Sequence, residues 1–238
     1  MEKEIVRISA KTLGLLTLKD FCPRCFWLKL KMGFELPYQI FPGIFSSIDS
    51  YSKAVTWHYF NTYKRLPYWF EPLGEFTGLC PVPHHSEFNV VDKETGIRLT
   101  GVPDEIFIMA NGKYFIIDYK TAKFTDTQDE LLPMYVVQLN SYAYIFEKLG
   151  IGRVAGLALC YYEPQSDAPV ENLAAVLSQD GFDMHFKAYL KKVELNPRKI
   201  VEPLFKIVKK YADMQEAPEG AGGCKDCEIV ERMVGWVK

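Results

Sequence analysis

The order of apolar and polar positions along the chain predicts an alternation of helices and strands. Apolar residues recur at helical spacing over 44–64, and a second long helix is predicted over 130–149, where Gly150 can end it. Uninterrupted apolar runs within 113–120 and 154–162 are typical of strands that are covered on both faces. The pattern therefore predicts a mixed α/β fold.

Weaker patterns complete the prediction. The other predicted elements are a short helix within 17–33, broken near Pro23 and stopped by Gly33, strands at 86–91 and 97–109, and helices at 181–194 and 197–213. A Pro- and Gly-rich loop is expected after Gly33, and repeated Pro and Gly predict an irregular connection over 67–83.

The strands at 97–109 and 113–120 flank Asn111-Gly112, which is a strong hairpin signal. A two-residue loop would place Asp104 opposite Tyr119, so that its side chain pointed away from that of Asp118. A three-residue loop ending at Gly112 places Asp104 opposite Asp118 instead. We expect the three-residue loop, because it collects the polar side chains on one face.

In that register Asp104, Asp118 and Lys120 share one face of a largely apolar strand pair. A buried charge that lacks its partner costs on the order of 3–5 kcal/mol, and two facing carboxylates repel each other. Mg²⁺ bound by carboxylates would relieve this repulsion, and a nearby lysine could orient a water or offset charge on a phosphate. The set suits metal-assisted phosphodiester hydrolysis; the alternative is an Asp–Lys ion pair without a function.

Composition sets broad limits on the function. The 238 residues are 48% hydrophobic and 24% charged with a net charge of −2, which predicts a packed core and excludes a strongly basic nucleic-acid coat. The N-terminus lacks the apolar core of a signal peptide, and no run approaches the roughly 18 apolar residues of a membrane span. We expect a soluble, cytoplasmic protein with a single domain over 1–238.

Four of the six cysteines form two CxxC pairs near the chain ends, whereas Cys80 and Cys160 stand alone. The paired residues are Cys22, Cys25, Cys224 and Cys227. In a reducing compartment such pairs favour metal or redox chemistry over disulfides, and each pair can supply half of a tetrahedral set. We therefore expect the pairs to converge on one metal centre, with 17–33 and 220–238 forming a metal-bound annex. Two pairs of free thiols are the alternative.

Several stretches resemble the PD-(D/E)XK nuclease superfamily, and within it the RecB-like branch, which includes CRISPR-associated RecB-like exonucleases and AddB-type nuclease domains. The stretches are Pro103-Asp104, Asp118-Tyr119-Lys120, ISAKTLGLLTLKDFCPRCFWLKL at 8–30, GVPDEIF at 101–107, QLNSY at 138–142 and the C-terminal cysteine pair. They occur in the expected order over nearly the whole chain.

The resemblance implies a restriction-endonuclease-like fold, with a central mixed sheet flanked by helices. It implies that Asp104, Asp118 and the backbone carbonyl of Tyr119 bind Mg²⁺ or Mn²⁺ and that Lys120 is the catalytic lysine. Gln138 and Tyr142, one helical turn apart, would border the site and contact the nucleic-acid backbone. Helix packing alone would equally account for them.

For the cysteines, the resemblance implies a 4Fe–4S cluster. Relatives usually divide the four cysteines as one N-terminal and three C-terminal residues, whereas this chain has two at each end. A two-plus-two division is also normal for zinc. The sequence therefore places iron–sulfur ahead of zinc, with zinc as the alternative.

One position departs from the pattern of the family. Many active members carry a metal-binding histidine in the helix after the first motif, and Asp49 stands there instead. His58, nine residues further on, would lie on the opposite side of a helix. Asp49 could bind a hard cation itself, or it could be an exposed helical aspartate.

Together these observations predict a metal-dependent DNA nuclease that acts on single strands or ends. Alternatives are an impaired nuclease fold that serves as a DNA-binding or structural subunit, and an iron–sulfur redox or sensing protein. The expected partners are single-stranded DNA and proteins of a DNA repair or CRISPR adaptation complex; a membrane is not expected. Basic residues of the late predicted helices could contact phosphates, but a solvated face of an amphipathic helix pair is favoured for most of them: Lys187, Lys191, Lys192, Arg198, Lys199, Lys206, Lys209 and Lys210.

Overall fold

The computed structural model describes residues 5–33, 42–125, 129–166 and 173–236. Its helices are α1 (Ala10–Gly14), α2 (Pro23–Lys31), α3 (Gly43–Tyr63), α4 (Leu132–Lys148), α5 (Leu173–Val176), α6 (Pro197–Asp213) and α7 (Lys225–Trp236). Its strands are β1 (Arg7–Ser9), β2 (Phe76–Cys80), β3 (Asn89–Val91), β4 (Arg98–Thr100), β5 (Glu105–Met109), β6 (Tyr114–Lys120), β7 (Val154–Pro164), β8 (Leu177–Ser178), β9 (Gly181–Phe182) and β10 (Phe186–Val193). The loop predicted after Gly33 and the last two residues of the predicted annex lie outside the described residues.

A five-stranded sheet with the order β10-β7-β6-β5-β2 forms the centre of the fold. The pair β6–β7 is parallel and the other pairs are antiparallel, so the sheet is mixed. Helix α4 connects the two parallel strands, as a parallel pair requires a crossover. The predicted central mixed sheet flanked by helices is confirmed.

Apolar side chains cover both faces of this sheet. On one face Ile106, Ile116 and Leu159 join a core that includes α4 and α6. On the other face Phe107 and Ile117 belong to a second core, which includes the 3₁₀ segment 68–73 and the side chain of Phe60 from α3. Because side chains alternate along a strand, neighbouring residues of β5 and β6 serve different cores.

A second, three-stranded sheet with the order β1-β4-β3 lies beside the first core. Gly101 follows β4, and a Cβ atom there would lie 2.6 Å from Cε1 of Tyr142 and 3.0 Å from Cβ of Ala10. A side chain larger than that of glycine would therefore push Tyr142 away from the start of β5. Among the described residues, none of the helices is both long enough and apolar enough to span a membrane.

The helix predicted over 181–194 is wrong, because this region contains β9, which pairs with the preceding β8, and then the edge strand β10. Successive apolar side chains of the lysine-rich strand FKAYLKKV contact different cores: Ala188 and Leu190 pack against the second core, and Tyr189 packs against the first. The pairing of β10 with β7 over eight residue pairs outweighs the helical tendency of the lysines.

The strand predicted over 97–109 is divided in two. β4 belongs to the small sheet and β5 to the central one, and the break contains Pro103, which has no N–H to donate to a ladder. The irregular connection predicted over 67–83 is also partly wrong, since β2 pairs with β5 at the edge of the sheet. The helices predicted at 44–64, 130–149 and 197–213 are present as α3, α4 and α6.

Candidate active site and cysteine centre

The β5–β6 hairpin has the three-residue loop that the sequence favoured. Glu105 pairs with Ile117, and the N–H of Met109 donates to the carbonyl of Lys113 at 2.9 Å. Gly112 has a φ of +75°, a conformation that suits glycine. The predicted register is therefore confirmed, and it places Asp104 across from Asp118.

Asp118 is buried and lies among three polar side chains. Its Oδ2 forms an ion pair with Lys120, and its Oδ1 accepts a hydrogen bond from Gln138 Nε2 at 3.1 Å. Gln138 Oε1 accepts from Lys120 at 3.3 Å, and the Gln138 amide lies 2.7 Å from the hydroxyl of Tyr142. The carboxylate, the lysine and the two side chains predicted on the helix thus form one hydrogen-bonded group. Burial raises the pKa of Asp118 to about 6, although the positive charge of Lys120 opposes this shift.

Asp104 is partly buried and is engaged through both oxygens. Its Oδ2 accepts a hydrogen bond from the backbone N–H of Tyr119 at 2.7 Å, and its Oδ1 lies 2.7 Å from the ammonium of Lys53. The same ammonium lies 2.8 Å from Asp49. Asp49 is therefore near the predicted site, but it reaches Asp104 through a lysine that the sequence analysis did not single out.

Two hydrogen bonds attach α3 to the strands of the site. Thr56 Oγ1 and the hydroxyl of Tyr119 are 3.0 Å apart, and Trp57 Nε1 donates to Glu105 Oε2 at 3.0 Å. Glu105 is fully buried, and burial raises its pKa to about 8. Sequence reasoning missed this attachment. The signal that could have indicated it is Glu105 itself, an acid in a buried strand that follows Asp104 and faces the opposite core.

His58 does not join the site through any contact of its side chain that the structure describes, in agreement with its predicted position across the helix. Its backbone carbonyl accepts a hydrogen bond from Thr62 Oγ1.

The four paired cysteines do converge, as predicted. Their Sγ atoms all lie within 4.8 Å of one another. The Sγ of Cys227 is 3.5 Å from those of Cys22 and Cys25, and the Sγ atoms of Cys25 and Cys224 are 3.6 Å apart. Within the described ranges this is the one group of three or more Cys, His, Asp or Glu side chains so arranged.

Further contacts join the two chain ends around the cysteines. Arg24 donates to the carbonyl of Pro218 at 3.2 Å, and Trp27 Nε1 donates to the carbonyl of Met214 at 3.2 Å. Burial raises the pKa of Cys22, but hydrogen bonds from the backbone N–H groups of Cys25 and Ala221 outweigh it and lower the value to about 6. Burial raises the pKa of Cys227 to about 11 and also raises that of Cys25. The thiols of the group therefore do not all lose their protons as readily as Cys22 does.

The basic residues predicted to lie together on late helices are distributed over different elements. Lys187, Lys191 and Lys192 belong to β10, and the others belong to α6. On α6, Lys206 pairs with Glu94 and Lys209 with Asp213. These residues therefore do not form the single helical surface that the sequence suggested.

Comparisons with known proteins agree with the motifs. Residues 52–232 match the model of the PD-(D/E)XK nuclease superfamily. A solved structure titled "Crystal structure of SSO0001" is similar over 92% of this chain and 81% of that chain, with 13% sequence identity and a TM-score of 0.43. The search of curated proteins gives no match. From the extent of the family match, this chain belongs to the PD-(D/E)XK nuclease superfamily.

Proposed function

We propose that the protein is a metal-dependent deoxyribonuclease that cleaves single-stranded DNA or DNA ends. Membership of the superfamily supports a nuclease. The observation that carries the proposal is the placement of Asp104 and Asp118 across from each other, with Lys120 paired to Asp118. The RecB-like branch and a DNA repair or CRISPR adaptation complex remain predictions from the motifs.

The donor atoms of this group fit a hard divalent cation. Carboxylate oxygens of Asp104 and Asp118 and the backbone carbonyl of Tyr119 are the ligand types that Mg²⁺ and Mn²⁺ prefer, and we propose these three as ligands. When bound, the cation would lower the pKa of a water and stabilise negative charge on the phosphate.

The protein's own side chains have separate proposed roles. Lys120 holds a proton at Nζ beside Asp118 and can hydrogen-bond the attacking water or a phosphate oxygen. Gln138 keeps Asp118 and Lys120 in place, because its amide binds both side chains. The hydroxyl of Tyr142 bonds to that amide, so Tyr142 positions Gln138, and we propose that both lie at the nucleic-acid backbone.

An impaired nuclease fold that binds DNA is the second candidate. The observation in its favour is that Lys53, paired with Asp49, occupies an oxygen of Asp104. A cleavage assay distinguishes the two candidate functions. It uses end-labelled single-stranded, duplex and 3′- or 5′-tailed DNA with Mg²⁺ or Mn²⁺. Metal-dependent cleavage of single strands or tails supports the nuclease, whereas DNA affinity without cleavage under either metal supports the binding subunit.

For the cysteine centre we propose a single tetrahedral ion, with zinc ahead of iron–sulfur. Thiolates around one zinc ion with bonds of about 2.3 Å lie roughly 3.8 Å apart. The four Sγ atoms lie within 4.8 Å of one another, and three of their separations are 3.5–3.6 Å. In a 4Fe–4S cluster each cysteine binds a different iron atom, which spreads the sulfurs further apart. Metal analysis of anaerobically purified protein tests this: one zinc and no visible absorbance agree with it, whereas iron with broad absorbance near 400 nm contradicts it.

A further inference from the structure

We infer that Lys53 competes with the divalent cation for Asp104 and thereby sets the metal affinity of the site. Without a bound ion, its ammonium holds Asp49 and Asp104 together; when an ion binds, the ammonium leaves Asp104. This inference rests on the proposed function, because it takes Asp104 to be a metal ligand.

The geometry supports direct competition for one oxygen atom. Asp104 Oδ2 is used by the backbone N–H of Tyr119, so Oδ1 is the oxygen left for a cation, and Lys53 Nζ lies 2.7 Å from it. A second carboxylate, that of Asp49, lies 2.8 Å from the same nitrogen. An ammonium between two carboxylates occupies the kind of position in which a divalent cation would be stable.

The base of the Lys53 side chain is fixed, whereas its end has room to move. One turn further along α3, Thr56 and Trp57 bond to Tyr119 and Glu105. These bonds hold the helix on the strands without any contribution from Lys53. The Lys53 side chain is 33% exposed, so its ammonium can turn towards solvent without displacing the helix.

Lys53 and Lys120 are therefore expected to differ in their response to metal. Lys120 pairs with the buried Asp118 and also donates to Gln138, so it is held on two sides. Among the described residues, the ammonium of Lys53 is bound by the two carboxylates whose charge a divalent cation would neutralise. Removing the charge of Lys53 should strengthen cation binding. It should also lower the stability of the cation-free protein, because Asp49 and Asp104 would then repel each other.

The electron paramagnetic resonance signal of free Mn²⁺ reports how much of the ion is bound. It therefore measures the affinity without an activity assay. We expect Lys53→Met to bind Mn²⁺ on the order of ten-fold more tightly than the wild type. Lys53→Arg, which keeps the charge, should remain near the wild-type value. Lys113→Met removes the same charge at the exposed end of the hairpin and should change little, because salt screens distant charges.

A measurement on the unaltered protein covers the case in which Lys53→Met does not fold. Acetic anhydride labels lysines according to their freedom from ion pairs, and mass spectrometry gives the extent at each position. Addition of Mn²⁺ should increase labelling of Lys53, while labelling of Lys113 serves as the internal reference. Unchanged or decreased labelling of Lys53 with saturating Mn²⁺ would overturn the inference.

Asp118→Asn separates failure of this inference from failure of the proposed function. Loss of Mn²⁺ binding in Asp118→Asn together with unchanged affinity in Lys53→Met would overturn the role of Lys53 alone. Equal Mn²⁺ binding by the wild type and Asp118→Asn would overturn the metal site, and the inference with it. Tighter binding in Lys53→Met and weaker binding in Asp118→Asn is the expected result.

Discussion

Three neighbouring carboxyl groups, those of Asp104 just before β5, Glu105 on β5 and Asp118 on β6, are accommodated in three different ways. Asp118 is buried and paired with Lys120, and Asp104 is bonded to a backbone N–H and to Lys53. Glu105 faces the opposite core, where its described hydrogen bond comes from Trp57. Of the three, Glu105 is the one best accommodated as a neutral acid. The hydrogen bond from the uncharged indole of Trp57 does not compensate a Glu105 carboxylate for the hydration that it loses on burial.

The state of Glu105 predicts a dependence of stability on pH. Its pKa is about 8 in the folded protein, raised by burial from 4.5. Between these values the folded protein keeps a proton that the unfolded chain has lost, so the free energy of unfolding falls as the pH rises from 4.5 to 8. Glu105→Gln keeps an acceptor for Trp57 but cannot ionise. It should therefore remove the decrease in the free energy of unfolding that Glu105 causes.

Urea unfolding at several pH values in the presence of a chelator measures the effect. We expect the variant to be more stable than the wild type at pH 8, with the difference shrinking towards pH 4.5. Parallel pH profiles of the two proteins would show that Glu105 is charged in the folded state.

At the scale of elements, local signals were sufficient where a turn or a cap decides the structure. Asn111-Gly112 indicated the hairpin, and the grouping of acids selected its register; Gly150, with a φ of +71°, ends α4 as expected. The strand β10 was not predictable from its lysines, because its pairing with β7 decides its structure. The contacts of Lys53 and Trp57 join elements about 50 residues apart, and no local pattern carries that information.

Close packing of α1 on α4 gives a second prediction. A Cβ atom at Gly14 would lie 2.5 Å from the backbone oxygen of Met134, which cannot move without shifting α4. Gly14→Ala should therefore lower the free energy of unfolding by about 1–3 kcal/mol. Thermal and urea unfolding measure this change.

The matched control is Gly43→Ala at the start of α3, where an added Cβ has no neighbour within 4 Å in the part of the chain that the structure describes. It should be neutral or slightly stabilising, because alanine restricts the unfolded chain. Equal effects of the two substitutions would show that the contact between α1 and α4 is looser than described.

At the scale of the whole molecule, the cysteine centre joins segments separated by about 200 residues. Cross-linking so long a loop stabilises a protein by on the order of 3–5 kcal/mol in loop-closure treatments. The CxxC pairs were sufficient to predict this convergence from sequence, whereas the choice between zinc and iron–sulfur stays a proposal for metal analysis to test. The single-domain organisation over 1–238 stays a prediction.

Cys224→Ser should therefore release the C-terminal segment and lower the melting temperature, because one of four ligands is lost. Limited proteolysis should then cleave within 214–223 before the body of the protein unfolds. Cys80→Ser is the control, since Cys80 lies outside the centre. A Cys224→Ser protein with unchanged metal content and melting temperature would contradict a joint centre.

The central claim is that the β5–β6 hairpin forms a nuclease site, and single-turnover cleavage of DNA by Lys120→Met tests it most directly. Lys113→Met, at the exposed residue directly after the hairpin loop, is the matched control for loss of a lysine. Circular dichroism and DNA affinity establish that the variants are folded and bind. We predict that Lys120→Met loses cleavage by roughly 10²–10⁴-fold while Lys113→Met retains it. Full cleavage by a folded Lys120→Met protein would contradict the account.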